Sequence, residues 1–264
     1  MSETPLGDAA ADSAVVGSER VLTALAVLAQ EPAGISLDDL SRRLKSSKPT
    51  VHRALASLRR MGFAAKQGRG HYVLGDEFLR LAFAHHAARP DHMRVQSVLA
   101  ALASRFQETA HYAVLDGRSV VYRAKVDPSA GAIRLSSVIG GRNPAHCTAV
   151  GKLLLSVKLP DEAAVADWIA GGPALEKRTE QTKTTAPELA AELAAIREQG
   201  YSSEDQENEL GVSCLAVPVY LDAGPHPSGA VSISAVNYRT PLARLVASLE
   251  EVRSIVGPIA VPVR

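Results

Sequence analysis

Cysteine is almost missing from this chain. Cys147 and Cys214 are the only two, 67 positions apart and outside any CxxC spacing, which excludes a disulfide framework and leaves free thiols as the default. Aromatic residues make up 4% of the chain, too few stacking faces for a reader of single-stranded RNA. No apolar run approaches the ~18 residues that a membrane span needs. The first twenty residues lack a basic n-region and a long apolar h-region, so a signal peptide is not expected and a cytoplasmic setting is. Strong overall charge is also missing: the formal net charge is +1, which excludes a chain that is basic from end to end. What is present is ordinary globular material. The 264 residues suggest two domains at about 150 residues each, and 46% hydrophobic residues can build cores.

The neutral total hides an asymmetry. Between Ser18 and Gly75 ten basic residues face four acidic ones, or +6, while the remainder carries 19 against 24, or −5. A short basic block on an acidic remainder suggests a nucleic-acid module joined to a different kind of domain.

Residues 1–17 are small, polar and acidic, as in a floppy tail. From Ser18, Val21, Leu22, Leu25 and Leu28 recur at helical spacing until Glu31-Pro32-Ala33-Gly34. Ser36-Leu37-Asp38-Asp39 reads as an N-cap with an acidic residue three positions on. A third helix is expected to open near Ser46-Ser47, with Pro49 in its first turn, an apolar stripe of Val51, Leu55 and Leu58, and Gly62 as its stop. The period then falls to two: 63–66 and 71–74 flank Gln67-Gly68-Arg69-Gly70 as a hairpin. Three small helices and a hairpin in this order make a winged helix-turn-helix over 18–75. Residues 76–91 follow as a linker helix. Its Phe78, Leu79, Leu81 and Phe83 must pack on the preceding module or meet a second copy, and the dimer contact is the reading adopted.

From 92 to 264 helices are expected at 92–106, 148–157, 161–169, 186–199 and 242–256. Strands are expected at 111–115 and 119–124 around Asp116-Gly117, then at 132–138, 213–220 and 229–236. The fold class is α+β with an antiparallel sheet.

A helix-turn-helix offers the start of its second helix to the major groove. With Val51, Leu55 and Leu58 inward, Pro49, His52, Arg53 and Ala56 face outward, and Lys48 and Thr50 stand at the tip. Arg53 suits a bidentate pair to guanine. Arg42 and Arg43 suit phosphates, which position without specifying, and Arg69 at the hairpin tip suits a minor groove. Any one of these cations alone reads as a solvated surface residue; their joint placement on one module carries the DNA reading.

These stretches, with Tyr72-Val73-Leu74-Gly75, resemble the isocitrate-lyase-regulator (IclR) family of bacterial transcription factors. So do His146-Cys147-Thr148-Ala149-Val150-Gly151-Lys152 and Gly200-Tyr201 followed by Glu207, Gly211, Cys214, Ala216 and Pro218. The resemblance covers nearly the whole chain from Ser18. It implies a winged helix-turn-helix, a dimerising linker helix, and a GAF-like domain with an antiparallel sheet that binds a small effector. The partners it implies are a double-stranded DNA operator and further copies of the chain, as dimers or tetramers. No membrane, metal, cofactor or catalytic residue is expected.

Residues two apart on a strand share a face, as do Ser232 with Ser234 and Cys214 with Ala216, so the two hydroxyls and the thiol could line a small polar pocket, although such pairs are also ordinary strand. The loop 143–149 and a helix start near Thr148 could attract an anion there. By resemblance, the effector pocket is lined by Ala149, Val150, Glu204, Cys214, Ser232 and Ser234. Glu204 stands where the family usually has Asp, so no ligand identity is carried over beyond a small carboxylate or aromatic metabolite acting on a repressor.

An enzyme in the C-terminal domain is the competing class, with Cys147, Cys214 or Ser213 as candidates, but nothing supplies a base and an oxyanion site. Gly151-Lys152 is no phosphate loop, since His146 stands where its glycine would be and Leu153 replaces Ser or Thr. His85, His86 and His92, or Glu204, Asp205, Glu207 and Glu209, lack metal-ligand spacing.

Overall fold

The computed structural model describes residues 17–68, 70–87, 90–128, 135–260 and 262. Sixteen residues of the expected tail lie outside them, as do Arg69, the first part of the expected strand 132–138, and the side chains of His85, His86 and His92. The described chain divides into two compact units, one ending at 88 and the other starting at 89.

The first unit contains α1 (Gly17–Gln30), β1 (Ile35–Ser36), α2 (Leu37–Arg43), α3 (Lys48–Arg60), β2 (Ala64–Gln67), β3 (His71–Leu74) and α4 (Asp76–Ala87). Leu28, Leu40, Val51, Leu55 and Leu58 interlock in one small core, closed by Tyr72 from the hairpin. Ser36 caps α2 by accepting the Asp39 N–H, as its sequence signature suggests. Ser47 starts α3 without a side-chain cap; its hydroxyl meets Thr50 Oγ1 at 2.9 Å instead. The two-residue β1, which no alternation announces, pairs antiparallel with β3. Gly75 is required by packing, because a Cβ there would meet the Gly62 carbonyl oxygen at 2.1 Å. In α4, Phe78, Leu79, Leu81 and Phe83 are exposed.

The second unit contains α5 (Pro90–Phe106), β4 (Thr109–Asp116), β5 (Ser119–Val126), β6 (Arg142–Pro144), a 3₁₀ turn (Ala145–Cys147), α6 (Ala149–Lys158), α7 (Glu162–Ala170), α8 (Ala186–Gln199), β7 (Ser202–Asp205), β8 (Val212–Val219), β9 (Gly229–Val236), α9 (Leu242–Ala247) and α10 (Leu249–Val256). Its strands form an antiparallel sheet in the order β6-β5-β4-β9-β8-β7. One face carries Leu215, Val217, Val231 and Ile233 against α5, α9 and α10. The other carries Ala113, Ala216 and Ala230 against α6 and α8. The fold is α+β, with an N-terminal helix-turn-helix and a C-terminal antiparallel sheet flanked by helices.

Three expectations are corrected. Residues 135–138 form no strand; β6 lies later, at 142–144. The closing helix is two helices, because the chain breaks at Ser248 between α9 and α10. Polar β7, unforeseen, forms the sheet edge beyond β8.

Candidate nucleic-acid interface and ligand cavity

On α3, burial of Val51, Ala54, Leu55 and Leu58 turns Pro49, His52 and Arg53 to solvent, with Lys48 exposed at the N-terminus and Thr50 half-buried. The cations around it are held by weak exposed pairs. Lys48 Nζ lies 2.8 Å from Asp38 Oδ2, Arg42 pairs with Asp39, and Arg43 pairs with Glu31. Exposed pairs of this kind contribute about 0–1 kcal/mol, so a phosphate can replace the carboxylate at little cost. Asp39 is held below its usual pKa, first by the Ser36 hydroxyl and then by Arg42 and Arg43 against desolvation. His52 and Arg53 make no ion pair among the described residues.

In the second unit the sheet register gathers residues that are far apart in sequence. Glu204 on β7 stands opposite Cys214 on β8, which stands opposite Ser234 on β9. Ser232 stands opposite both Ala216 and His111. With Ala149 and Val150 from the start of α6, Glu204, Cys214, Ser232, Ser234 and His111 line one cavity of about 260 Å³, while Ala216 belongs to the core beneath it. All six residues singled out for the pocket are therefore neighbours in space. Asn143, from the loop 143–149 expected beside the pocket, lines it too, and several further lining residues went unnoticed in the sequence: His111, Tyr122, Arg178 and Asn208. Tyr122 faces the cavity because of a bulge. The β4–β5 pairing passes from Tyr112–Ala124 to Ala113–Tyr122 and skips Arg123, which changes the face of everything before it.

The cavity wall is a chain of hydrogen bonds. Cys214 Sγ donates to Ser234 Oγ at 3.2 Å, Ser234 Oγ lies 3.3 Å from His111 Nδ1, and His111 Nε2 lies 2.7 Å from Ser137 Oγ. A neutral imidazole with one donor and one acceptor fits this order. Burial, then Lys125, push His111 down to about 3, so it stays neutral. Burial also pushes the Cys214 thiol well above its ordinary value and Cys147 up to about 12. Neither cysteine is an activated nucleophile. Glu204 is 2% exposed; its Oε1 accepts the backbone N–H groups of Glu207 and Asn208. Burial outweighs those bonds and raises its carboxyl to about 7.

Two features favour an anion. The N–H groups of Ala149 and Val150 belong to the first turn of α6 and have no helical acceptor. Thr148 caps that turn by accepting the Gly151 N–H at 3.1 Å. Arg178 donates Nε to the Asn208 carbonyl at 2.9 Å, and its nearest carboxylate, Glu176, is 3.8 Å away.

The loop behind the cavity is fixed from within. Lys152 is fully buried, 2.5 Å from Glu207 and 2.7 Å from Glu192, and Lys183 reaches both carboxylates. Burial opposes the Lys152 charge, but Glu207 and Glu192 together raise its pKa. Gly151 leaves room for the preceding turn, since a Cβ would meet Ala145 O at 2.2 Å. The acidic run thus divides: Glu207 is held by Lys152 and Asp205 by Ser213, while Glu204 and Glu209 line the cavity.

A helix-turn-helix whose second helix exposes basic residues, joined in one chain to a domain with a polar cavity on an antiparallel sheet, defines a two-domain type of DNA-binding regulator. The family comparison is specific. Residues 18–68 match the IclR helix-turn-helix domain and residues 92–261 match the C-terminal domain of the bacterial transcriptional regulator IclR. The chain belongs to the IclR family of transcriptional regulators. It is 36% identical to the HTH-type transcriptional regulator KdgR of Escherichia coli over 192 residues, covering 72% of this chain and 71% of that one. It is 31% identical to the Pca regulon regulatory protein of Pseudomonas putida over 237 residues, or 89% and 77% of the two chains. The fold also matches the crystal structure of an IclR homologue from Microbacterium hydrocarbonoxydans complexed with 4-hydroxybenzoate. There the TM-score is 0.71 at 18% identity, over 91% of this chain and 97% of the other. The chain is a DNA-binding transcriptional regulator, not an enzyme. Among the described residues no helix is long and apolar enough to cross a membrane.

Proposed function

We propose that this regulator is a cytoplasmic repressor whose operator affinity is set by a small organic acid in the cavity of the second unit. Arg53 reads a guanine edge, Lys48, Pro49, Thr50 and His52 lie against neighbouring bases or backbone, Arg42 and Arg43 hold phosphates, and Arg69 enters the minor groove. The domain limits that go with this reading are 18–75, 76–91 and 92–264. Two copies pair through the exposed Phe78, Leu79, Leu81 and Phe83 of the linker helix and present two reading heads to a partly palindromic site, as dimers or as tetramers built from them.

The observation that carries the effector reading is the convergence of Ala149, Val150, Glu204, Cys214, Ser232 and Ser234 on one cavity. The α6 N–H groups and Arg178 suit a carboxylate, and the Cys214, Ser234 and His111 wall suits a hydroxyl or ring edge. The 4-hydroxybenzoate bound to a family homologue supports an aromatic or small carboxylic acid of this size. The ligand regulates only through unequal affinity for two arrangements of the reading heads.

The test is Ser234→Leu, which fills the cavity from its wall. A panel of small carboxylic and hydroxyaromatic acids is screened by thermal shift, and hits are carried into operator-binding titrations. The variant is expected to keep operator binding and lose the ligand response. A response that survives the substitution would place the effector elsewhere.

A further inference from the structure

The second unit holds another concave site, apart from the cavity of Ser232 and Ser234. A cleft of about 310 Å³ opens where the end of α5 meets the turn between β9 and α9. Arg105, Arg239 and Arg244 line it, with Phe106 and buried Leu245 as apolar surface.

Two of these guanidinium groups are pinned. Arg239 grips Glu108 through Nε and Nη2 at 2.9 and 2.5 Å, and Glu108 is 1% exposed and also accepts Thr240 Oγ1 at 2.8 Å. Arg105 grips Glu251 through the same two nitrogens at 2.5 and 3.1 Å. A guanidinium carries five N–H donors, and such a fork uses one on Nε and one on Nη2; Arg239 gives its second Nη2 donor to the Gln107 carbonyl, and in both residues the two donors on Nη1 remain. Neither Nη1 makes a hydrogen bond among the described residues. Arg244 makes no ion pair and no side-chain hydrogen bond among the described residues. Three guanidinium groups against two carboxylates leave one net positive charge at the cleft. The unused donors come from three separate positions in the chain, an arrangement that suits the several faces of a tetrahedral oxyanion better than the two oxygens of a planar carboxylate. Guanidinium also matches phosphate oxygens in bidentate geometry.

We propose that this cleft is a second ligand site, binding a phosphate-type oxyanion through Arg244, with the pinned Arg105 and Arg239 as flanking donors. The shared chemistry is a tetrahedral phosphoryl group, supplied as inorganic phosphate or on a small metabolite.

The experiment is calorimetric titration of the full chain with inorganic phosphate and, separately, with glycerol phosphate, at ionic strength held constant with chloride. Saturable binding at one site per chain is expected. It should weaken about tenfold or more in Arg244→Ala, as for loss of a charge-assisted bond, vanish in Arg244→Glu, survive in Arg244→Lys, and be unchanged in Ser234→Leu. Saturation by both compounds assigns the site to the phosphoryl group itself; saturation by glycerol phosphate alone assigns it to a phosphorylated metabolite. Arg244 is exposed, so the variants are expected to melt as the parent does. Non-saturating heats, equal binding by Arg244→Glu, or a loss in Ser234→Leu instead would overturn the proposal. So would phosphate indifference combined with a loss of random-duplex binding in Arg244→Glu, which would give the cleft to the DNA backbone.

Discussion

The two units solve recognition in opposite ways. In the first, one helix does two jobs: Val51, Leu55 and Leu58 bury its inner stripe, and the same turns set His52 and Arg53 outside. The proposed reading surface is local in sequence and only as rigid as a small core makes it. In the second, no single element owns the site. Glu204, Cys214, Ser234 and His111 come from four strands, and Ala149 from a helix between them. The cavity is concave and fixed by hydrogen-bonded register and a buried ion cluster. A surface that must adapt to DNA can be built from exposed, weakly paired cations; a cavity that must discriminate a small molecule needs its polar groups held in place.

Substitutions that strike one unit and spare the other can break this contrast. The largest effect is expected at Lys152. Its replacement by Ala leaves buried Glu207 and half-buried Glu192 with Lys183 alone as counter-charge, and removal of one partner of a buried pair costs up to about 3–5 kcal/mol. Chemical denaturation should show that loss in the second unit's transition, with DNA-module unfolding unmoved. Leu55→Ala is the converse. Leu55 is fully buried, and its truncation should cost about 2–5 kcal/mol in a core that has little to spare. Binding to operator should collapse while ligand still binds the cavity. Equal loss in both units for either variant would contradict their independence.

The ease of reading the sequence follows the same division. The stripe of α3, the Ser36 cap and the Asp116-Gly117 hairpin turn were legible because each is set by residues within a few positions of one another. Gly117 adopts the positive φ (62°) that such a turn uses. β7 was not legible. Its Ser202-Ser203-Glu204-Asp205 has no apolar alternation, because what it turns inward is a cavity carboxylate instead of a core side chain. Tyr122 and His111 were missed as lining residues for a related reason: a bulge at Arg123 sets the face of Tyr122, and only the β4–β9 register places His111 against Ser232. Arg178 sits between helices, where periodicity carries no information. The six pocket residues came from family resemblance; strand spacing alone pointed no further than Ser232, Ser234 and Cys214.

Glu204 gives a finer test of the cavity. Its carboxyl is raised to about 7 in the folded chain from an ordinary 4.5, so the folded state holds the proton more tightly. That contribution is full below about 4.5 and is lost as pH rises through 7, at up to about 1.4 kcal/mol per pH unit. His111, lowered to about 3, works the other way: its contribution is present above 6.5 and is lost as pH falls. Comparing wild type with Glu204→Gln cancels the His111 part. The stability advantage of wild type should shrink steadily between pH 4.5 and 7. A difference that is flat across that window would mean that Glu204 is ionised throughout.

The most direct measurement concerns the recognition helix. Arg53→Ala should be titrated against an operator, against the same operator with single base pairs exchanged, and against random duplex. The expected result is a loss of about 1–3 kcal/mol on the operator, relaxed preference at one base pair, and little change on random DNA. An equal loss on every duplex would make Arg53 a phosphate contact and would contradict the claim that the outer face of α3 reads sequence.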